Sequence, residues 1–330
     1  MPSDSLTETG LEPHRPLQGL KAWLITDGKA GMDVQAKGVA DALGLISEIK
    51  HVSPTGAFRL LSPYGPVSPG ERFGKHGSAF CAPWPDVAIA TGRLAIPYIK
   101  ALKKRAGLAT YTIILQDPRT STRIADLFWV PVHDRMRGPN VVTTLTPPHP
   151  FSAARLAALR RVVPAAIAAL PKPRIAVILG GKHAVYKFTD ACDDRIERSL
   201  RDLAALGASF MITPSRRTHP RLLAAVDKAT EGTPRILWDG EGHNPYPDFL
   251  AHADILVVTA DSVNMCGEAA ATGKPVYIFT PEGGSDKFER YHKALRDHGA
   301  TRPLPDRIQR LETWSYRPLD AATTIAEEVE

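Results

Sequence analysis

Short runs of β-branched and other apolar residues alternate along this chain with segments of helical periodicity. KAWLIT (21–26) predicts a strand, the pattern at 33–44 predicts a helix that ends at Gly44, and 45–52 predicts a second strand. Such alternation is typical of parallel sheets covered by helices. Because it occurs in two series over 330 residues, the sequence predicts an α/β protein with two doubly wound, Rossmann-like domains. We expect these domains to face each other across a cleft.

The same patterns continue through the rest of the chain. Further strands are predicted at 86–91, 110–116, 126–132, 174–180, 208–213, 235–238, 254–259 and 275–279. Further helices are predicted at 94–107, 190–206, 218–230, 246–252, 262–272 and 286–298. The turn-rich stretch TPPHPFS (146–152) separates the two series, and we expect the domain boundary there.

The predicted domain organisation follows from these breaks. Residues 1–19 are polar and lack the apolar core of a secretion signal, so we expect a disordered lead. Residues 20–150 form the predicted N-terminal domain, and 173–330 form the C-terminal domain. An amphipathic helix at 151–172, interrupted by a proline, is expected to link them. Residues 53–85 are dense in Pro and Gly, which favours an insertion or long loop.

Composition limits the classes of function. The three cysteines are far apart in sequence, so neither a disulfide framework nor a zinc site is expected, and a reducing, cytoplasmic compartment fits best. No apolar run has the length of a membrane span. Residues 1–150 carry 17 Lys and Arg against 12 Asp and Glu, which accounts for +5 of the net charge of +6. This excess suggests an anionic partner or a solvated surface, and no nucleic-acid-binding pattern accompanies it.

In the first series, polar residues follow several predicted strands. TDGKAG (26–31) places Asp27, Gly28, Lys29 and Gly31 between a strand and a helix. The glycines admit close ligand approach, the helix N-terminus favours an anion, and Asp27 is a candidate general base. A plain βα turn capped by Asp33 explains the same spacing.

Two further strand ends and one histidine add polar residues to the same predicted edge of the sheet, which we call the rim. ATGR and QDPR bring Arg93, Asp117 and Arg119 to the same predicted edge, where an arginine can bind phosphate or carboxylate. Each taken singly is equally explained as a surface loop. PVHD follows the next strand, and His133 is a candidate general base that Asp134 could orient. A lone loop histidine is more often structural.

The second series repeats this arrangement. Gly180 and Gly181 follow its first strand, where the backbone could approach a diphosphate with Lys182 beside it. SRRT closes the next strand: Ser215 or Thr218 could cap a helix, and Arg216 and Arg217 could bind an anion there. A capped helix with solvated arginines is the alternative.

TADSVNMCGEAAATGKPVYIF (259–279) contains the fullest set of polar residues. Asp261 or Ser262 is expected at the N-cap of a helix, with Asn264 in its first turn. Glu268 is placed to accept the two hydroxyls of a ribose, while the helix N-terminus binds phosphate. The alternative is a partly buried Glu268 bonded to the backbone.

Several of these segments resemble the mitochondrial-fission ELM family, and EAAATGKPVYIF also resembles the donor-site segment of GT-B glycosyltransferases. The resemblance covers roughly residues 20–300. It rests on TDGKAG with Gln35, PWPDVAIATGR (83–93), QDPR (116–119), VPVHD (130–134), NVV (140–142), the glycine pair 180–181, SRRT (215–218) and the segment 259–279.

The resemblance implies a GT-B-like fold and a nucleotide-sugar glycosyltransferase, whereas plant members of the family are tied to mitochondrial fission and a peripheral membrane location. It also implies that Glu268 is the ribose-binding residue, that Asp261 and Ser262 contact the donor, and that TDGKAG serves the acceptor.

Three functions are weighed on this basis. The first is a metal-independent glycosyltransferase without a bound cofactor. It would use a nucleotide-sugar, such as a UDP-sugar, as co-substrate and act on an envelope or lipid-linked acceptor, with peripheral contact at the inner membrane. The second is a non-catalytic, membrane-associated scaffold. The third is a nucleotide-sugar epimerase, which would share the donor site. No nucleic-acid partner is expected.

Overall fold

The computed structural model describes residues 17–75 and 77–330. Its chain divides into two compact units. The first unit comprises the described residues up to Leu127 together with Ala326–Glu330, and the second comprises Phe128–Ile325. Most of the predicted disordered lead, residues 1–16, lies outside the described residues.

The first half of the chain forms a six-stranded sheet with the order β2-β1-β3-β4-β5-β6. The β1–β2, β1–β3, β3–β4 and β5–β6 pairings are parallel. The elements, in chain order, are β1 (Lys21–Thr26), α1 (Ala30–Ala42), β2 (Ile46–His51), α2 (Gly56–Leu61), β3 (Val87–Thr91), α3 (Ile96–Ala106), β4 (Tyr111–Leu115), β5 (Leu127–Pro131) and β6 (Val141–Thr144).

The second half forms another six-stranded parallel sheet, with the order β10-β9-β7-β11-β12-β14, and a small antiparallel pair of β8 and β13. Its elements are α4 (Ala153–Arg161), α5 (Ala165–Ala168), β7 (Arg174–Leu179), β8 (Tyr186–Lys187), α6 (Asp190–Ala205), β9 (Ser209–Pro214), α7 (Pro220–Thr230), β10 (Arg235–Leu237), α8 (Tyr246–His252), β11 (Ile255–Thr259), α9 (Val263–Ala270), β12 (Val276–Phe279), β13 (Glu282–Gly283), α10 (Asp286–Asp297), β14 (Thr301–Pro303) and α11 (Ala321–Val329).

Apolar residues on both faces of the second sheet explain why its strands are continuous hydrophobic runs. In β7, Ala176 and Ile178 join one buried cluster, while Ile175, Val177 and Leu179 join the cluster on the opposite face. A parallel sheet covered by helices on both faces has this pattern, since neither face meets water. The predicted α/β fold with two Rossmann-like domains is thereby confirmed.

In each sheet the strand order reverses at one point. In the first sheet β1 lies between β2 and β3, and in the second sheet β7 lies between β9 and β11. Open α/β sheets bind ligands outside the carboxyl ends of the two strands at such a point. The geometry therefore directs attention to the loops after β1 and β3, and to the loops after β7 and β11.

The Pro- and Gly-rich segment 53–85 packs around a small aromatic cluster. Phe73 stacks on Phe80 with ring centroids 4.8 Å apart, and Trp23 meets Phe80 and Trp84 edge-on, each at 6.0 Å. Aromatic pairs in these geometries stabilise by about 1 kcal/mol beyond the area they bury. The segment predicted as an insertion or long loop thus contains α2 and aromatic residues that hold it to β1.

None of the helices in the described part of the chain is long and apolar enough to cross a bilayer.

Candidate functional site

The buried carboxylate of Asp261 connects the loops that follow β7, β9 and β11. Its Oδ1 accepts a hydrogen bond from the Thr259 hydroxyl at 2.7 Å. Its Oδ2 accepts from the backbone N–H of Gly181 at 3.1 Å and lies 2.9 Å from Nη2 of Arg217. The side chain is fully buried, so both oxygens are used within the protein. We call Gly180, Gly181, Arg217, Thr259 and Asp261 the Asp261 network.

The glycine pair in this network has no room for side chains. A Cβ at Gly180 would lie 2.1 Å from Oδ1 of Asp261, and a Cβ at Gly181 would lie 1.9 Å from the carbonyl oxygen of Arg217. Both separations are far below van der Waals contact. Glycine is therefore required by the packing of the protein against itself, and the role of these residues toward a diphosphate stays a prediction.

Two cations lie beside the Asp261 network without a carboxylate partner. Lys182 and Arg216 are exposed, and neither takes part in an ion pair with another described residue. The backbone N–H of Lys182 donates to the carbonyl of Arg217 at 3.0 Å, and Nη1 of Arg217 donates back to the carbonyl of Lys182 at 3.1 Å. These bonds hold the loops after β7 and β9 side by side, so positive charge is concentrated at the edge of the second sheet.

Ser215 and Thr218 serve the loop rather than a helix. Their hydroxyl oxygens lie 3.2 Å apart, and the Thr218 hydroxyl donates to the carbonyl of Gly180 at 2.6 Å. The N-cap of α7 is His219, whose side chain makes no capping bond, and Pro220 begins the helix. The expectation that Ser215 or Thr218 caps this helix is wrong, because their hydroxyls bond within the loop and to the β7 end instead.

The start of α9 follows one of the two predicted alternatives. Ser262 is the N-cap, and its Oγ accepts from the backbone N–H of Met265 at 3.4 Å. Asn264 is half-buried in the first turn. The N-terminus of α9 therefore points toward the carboxyl edge of the sheet at the β7–β11 switch point, where its partial positive charge favours an anion.

Glu268 is buried, with 5% of its surface exposed, and its Oε2 accepts a hydrogen bond from the hydroxyl of Tyr246. Burial raises the pKa of Glu268 to about 7, against the opposing effect of the Tyr246 hydrogen bond. Burial also raises the pKa of Tyr246. These contacts agree with the alternative of a carboxylate bonded within the protein, although the partner is a side chain. A ribose would have to compete with Tyr246, and ribose binding stays a prediction.

His133, a candidate base, lies beside α10. Its ring centroid is 5.9 Å from that of Tyr291, whose hydroxyl donates to the carbonyl of Val263 at 2.9 Å. Burial lowers the pKa of His133, so its ring is neutral at neutral pH and can accept a proton. Asp134, expected to orient it, forms an ion pair with Lys287 at 3.0 Å instead.

Three residues near this edge were not singled out from the sequence: His183, Tyr246 and His292. Nε2 of the buried His292 lies 2.9 Å from the carbonyl oxygen of Ala260. Burial lowers the pKa of His183 and of His292. Tyr246 contacts Glu268 and His292 contacts the backbone of Ala260 from elements that are distant in sequence, so no local spacing could have indicated these two contacts.

The loop after β1 contains the other candidate base. Asp27 is largely buried and forms an ion pair with the exposed Lys29. Gly28 has φ 75° and Gly92 has φ 90°, and a Cβ on Gly92 would lie 3.8 Å from the Asp27 carboxylate. Glycine suits both positions because left-handed backbone strains other residues.

The start of α1 does not have the simple turn capped by Asp33 that the spacing allowed. The helix begins at Ala30, so Gly31 lies in its first turn, and Asp33 makes no N-cap bond. Instead the carboxylate of Asp33 accepts from the hydroxyl of Thr26 and contacts His51 at 3.1 Å. The expected Asp33 cap is wrong, because two tertiary partners hold this carboxylate.

A cavity of about 430 Å³ opens at the carboxyl ends of β3 and β4 in the first unit. It brings together the predicted rim residues Arg93, Asp117 and Arg119. Beside it, the buried side chain of Gln35 accepts a hydrogen bond from Nε2 of Gln116 at 2.9 Å. The first unit thus has a formed pocket lined by three of the residues expected to serve the acceptor, and that role stays a prediction.

Within residues 17–75 and 77–330, no group of three or more His, Cys, Asp or Glu side chains is arranged to hold a metal ion.

Two Rossmann-like domains with polar loops at the carboxyl edges of their sheets have a GT-B-like fold. A solved structure of similar fold is UDP-GlcNAc 2-epimerase from Neisseria meningitidis bound to UDP-GlcNAc. It is 11% identical, with a TM-score of 0.51, and the alignment covers 87% of this chain and 88% of that one. At this identity the likeness concerns the fold alone.

The chain belongs to the mitochondrial fission ELM1 family, whose model matches residues 30–330. Mitochondrial fission protein ELM1 of Arabidopsis thaliana is 29% identical over 273 residues, which cover 74% of this chain and 64% of that protein. The uncharacterized protein RP120 of Rickettsia prowazekii (strain Madrid E) is 34% identical over 158 residues, or 46% of this chain and 44% of that one. The chain spans less than two thirds of either relative.

Proposed function

We propose that this protein is a nucleotide-sugar-dependent glycosyltransferase and that the edge of the second sheet holds the donor. One observation carries the proposal. The N-terminus of α9 and the exposed cations Lys182 and Arg216 lie at the β7–β11 switch point, beside loops that the Asp261 network holds together. Fixed positive charge at such a point suits a diphosphate.

The same groups would assist the chemistry of transfer. When the bond between the sugar and the diphosphate breaks, negative charge grows on the leaving phosphate oxygen. Lys182, Arg216 and the α9 N-terminus would stabilise this charge, and the network limits how far the loops must reorganise. The Neisseria epimerase of similar fold is bound to UDP-GlcNAc, so UDP and UDP-GlcNAc are the first ligands to try.

The acceptor hydroxyl needs a base, and His133 is the better of the two candidates. Its imidazole takes part in no ion pair with a described residue, whereas the Asp27 carboxylate is already paired with Lys29. A neutral imidazole can take the proton as the hydroxyl attacks. We expect His133→Gln to lower kcat at least tenfold while leaving UDP affinity unchanged, as measured by turnover and by calorimetry.

Calorimetry with UDP and UDP-GlcNAc tests the donor site. We expect a Lys182→Ala/Arg216→Ala double variant to lose at least tenfold in affinity, because both charges at the phosphates are removed. Arg198→Ala is the matched control, since Arg198 is exposed on α6 and has no part in the network. An unchanged affinity in the double variant would reject this donor site.

The alternative functions predict different results in assays of nucleotide binding, sugar interconversion and sugar transfer. Failure of the wild-type protein to bind any nucleotide would overturn the transferase proposal and favour a non-catalytic scaffold. Interconversion of the donor sugar without any acceptor would favour an epimerase. Transfer of labelled sugar to an added acceptor would support the transferase.

A basic groove in the first unit supports a lipid-linked acceptor and peripheral membrane contact. The groove has a volume of about 410 Å³ and is lined by Phe58, Gly65, Pro66, Val67, Arg72, Phe73, Pro97, Lys100, Ala101, Lys104 and Arg105. The neighbouring helix α2 exposes Leu60 by 81% and Leu61 by 54%. Exposed leucines beside cations fit an anionic bilayer surface. Lys103 takes no part, because it forms an ion pair with Asp126.

Sedimentation with vesicles of phosphatidylglycerol and phosphatidylcholine tests this contact. We expect Leu60→Ser/Leu61→Ser to reduce the bound fraction severalfold, because two apolar contacts with the bilayer are removed. Val162→Ser is the control, since the exposure of Val162 lies between those of Leu60 and Leu61 but the residue belongs to the second unit. Binding that does not depend on Leu60 and Leu61 would reject α2 as the contact.

A further inference from the structure

The cavity in the first unit has the size of a ligand site. Its volume of about 430 Å³ falls within the ordinary range for small-molecule pockets, roughly 300–1,000 Å³. It lies at the carboxyl ends of β3 and β4, and the segment after α2 closes one side. The lining residues are Pro63, Tyr64, Gly92, Arg93, Ile96, Leu115, Gln116, Asp117, Pro118 and Arg119.

Backbone strain is concentrated in this cavity. Among the described residues, Gln116 with φ 75° and Arg119 with φ 55° are the two non-glycine residues with positive φ, and both line it. Each costs about 1 kcal/mol, so the surroundings must enforce the conformation. Gln35 holds the Gln116 side chain, the Tyr64 hydroxyl donates to the carbonyl of Arg119 at 2.9 Å, and Asp117 accepts from its N–H at 2.7 Å.

The charges of the cavity are unbalanced. Neither Arg93 nor Arg119 takes part in an ion pair with a described residue, and Arg93 donates to the carbonyl of Ser62. The carboxylate of Asp117 is turned to the backbone N–H of Arg119. The lining therefore carries two guanidinium groups against one carboxylate, a net positive charge. The two guanidinium groups can donate together to the three terminal oxygens of a phosphate, which a carboxylate with two oxygens matches less well.

The remaining wall of the cavity is apolar. Pro63, Ile96, Leu115 and Pro118 supply it, and Leu115 is the last residue of β4. A ligand held here by its charge would place the atoms bonded to that charge against these residues. The pocket therefore suits a phosphate that carries an organic group rather than a free inorganic ion.

We propose that this pocket binds a phosphomonoester, with its phosphate between Arg93 and Arg119 and its organic group against the apolar wall. This assignment rests on the lining of the pocket and not on the proposed glycosyl transfer. Either a lipid phosphate or a sugar phosphate presents the required chemistry.

Calorimetry on the full chain, without nucleotide, tests the pocket with farnesyl phosphate below its micelle concentration and with glucose 6-phosphate. We expect one of them to bind and the Arg93→Gln/Arg119→Gln double variant to lose at least tenfold in affinity. Tighter binding of farnesyl phosphate indicates a lipid source, and tighter binding of glucose 6-phosphate indicates a sugar phosphate. Arg123→Gln is the control, since Arg123 lies outside the lining residues.

Two results would overturn the inference. One is binding that the double variant retains in full. The other is equal affinity for the matched carboxylates, farnesoic acid and glucuronic acid, which lack the second charge. Both arginines are exposed, so the double variant should unfold at the wild-type temperature, and Arg93→Lys/Arg119→Lys should restore part of the affinity.

The outcome is separable from that of the donor site, because the two sites lie in different units. A protein that binds a phosphomonoester but no nucleotide would refute the proposed transferase and leave this pocket assigned. A protein that binds UDP but neither phosphomonoester would refute the pocket and leave the transferase.

Discussion

At the edge of the second sheet, the carboxylate of Asp261 uses both oxygens to connect three loops, whereas at the edge of the first sheet two arginines lack a carboxylate partner among the described residues. The second edge is therefore shaped before any ligand arrives. The first edge holds strained backbone and uncompensated charge, which a bound anion would relieve. Preorganisation favours affinity because less freedom is lost on binding, while stored strain favours ligand dependence.

The largest effect on stability should come from adding one methyl group at the carboxyl edge of the second sheet. Gly181→Ala would place Cβ 1.9 Å from a backbone oxygen that cannot move without breaking the Asp261 network. We expect a loss of about 3 kcal/mol or more in the free energy of unfolding, measured by urea titration. Gly70→Ala is the control, because no atom lies within 4 Å of its Cβ position. Similar stability of the two variants would show that the second edge is as adaptable as the first.

The buried carboxylate of Glu268 should make the stability of the second unit depend on pH. Its pKa rises from 4.5 to about 7 in the folded protein, so the folded state binds more protons than the unfolded chain between these values. Stability should therefore fall as pH rises through this window, by up to about 3 kcal/mol. Glu268→Gln should remove most of this dependence in urea unfolding at pH 5 and pH 8. An equal slope in both proteins would assign the effect to another group.

At the first edge we expect the opposite response to a glycine substitution. Arg119→Gly should raise the free energy of unfolding by about 1 kcal/mol, because glycine adopts φ 55° without strain, and it should weaken phosphomonoester binding. Arg123→Gly is the control: Arg123 is not among the residues with positive φ, so this change should not stabilise. A loss of stability in Arg119→Gly would mean that the first edge is not strained.

The smallest effect on stability should distinguish a lysine of α3 that forms an ion pair from one that does not. Lys103→Ala should cost about 0.5 kcal/mol, because its ammonium pairs with the partly exposed Asp126. Lys104→Ala should leave thermal stability unchanged and reduce vesicle binding, since Lys104 lines the basic groove. If both substitutions changed stability equally, the division of this basic run into structural and binding residues would fail.

The elements that the sequence predicted most closely have apolar residues buried in a regular pattern. The run at 174–180 became β7 (Arg174–Leu179), and the helix expected at 190–206 became α6 (Asp190–Ala205), because their apolar spacing reports the core directly. The helix interrupted at Pro164 is two helices, α4 and α5, since proline lacks the N–H that would continue the first.

Several of the elements that were missed are short or mostly exposed. Helix α2 exposes its leucines, so the sequence has no periodicity there that points to a core. Strand β14 has three residues and β6 is only half-buried. The same limit applies to the site. The spacing placed Ser262 at the helix start, but the pairing of Glu268 with Tyr246 joins residues from different elements and depends on the tertiary fold.

The aromatic cluster beneath residues 53–85 gives the first unit an optical reporter. Trp23 and Trp84 are two of the five tryptophans in the chain, and their rings meet at 6.0 Å within this cluster. The same segment supplies Pro63 and Tyr64 to the wall of the phosphomonoester pocket. Any movement of that wall when the pocket fills would change the surroundings of the indole rings, so emission wavelength and quenching would follow occupancy without an attached label.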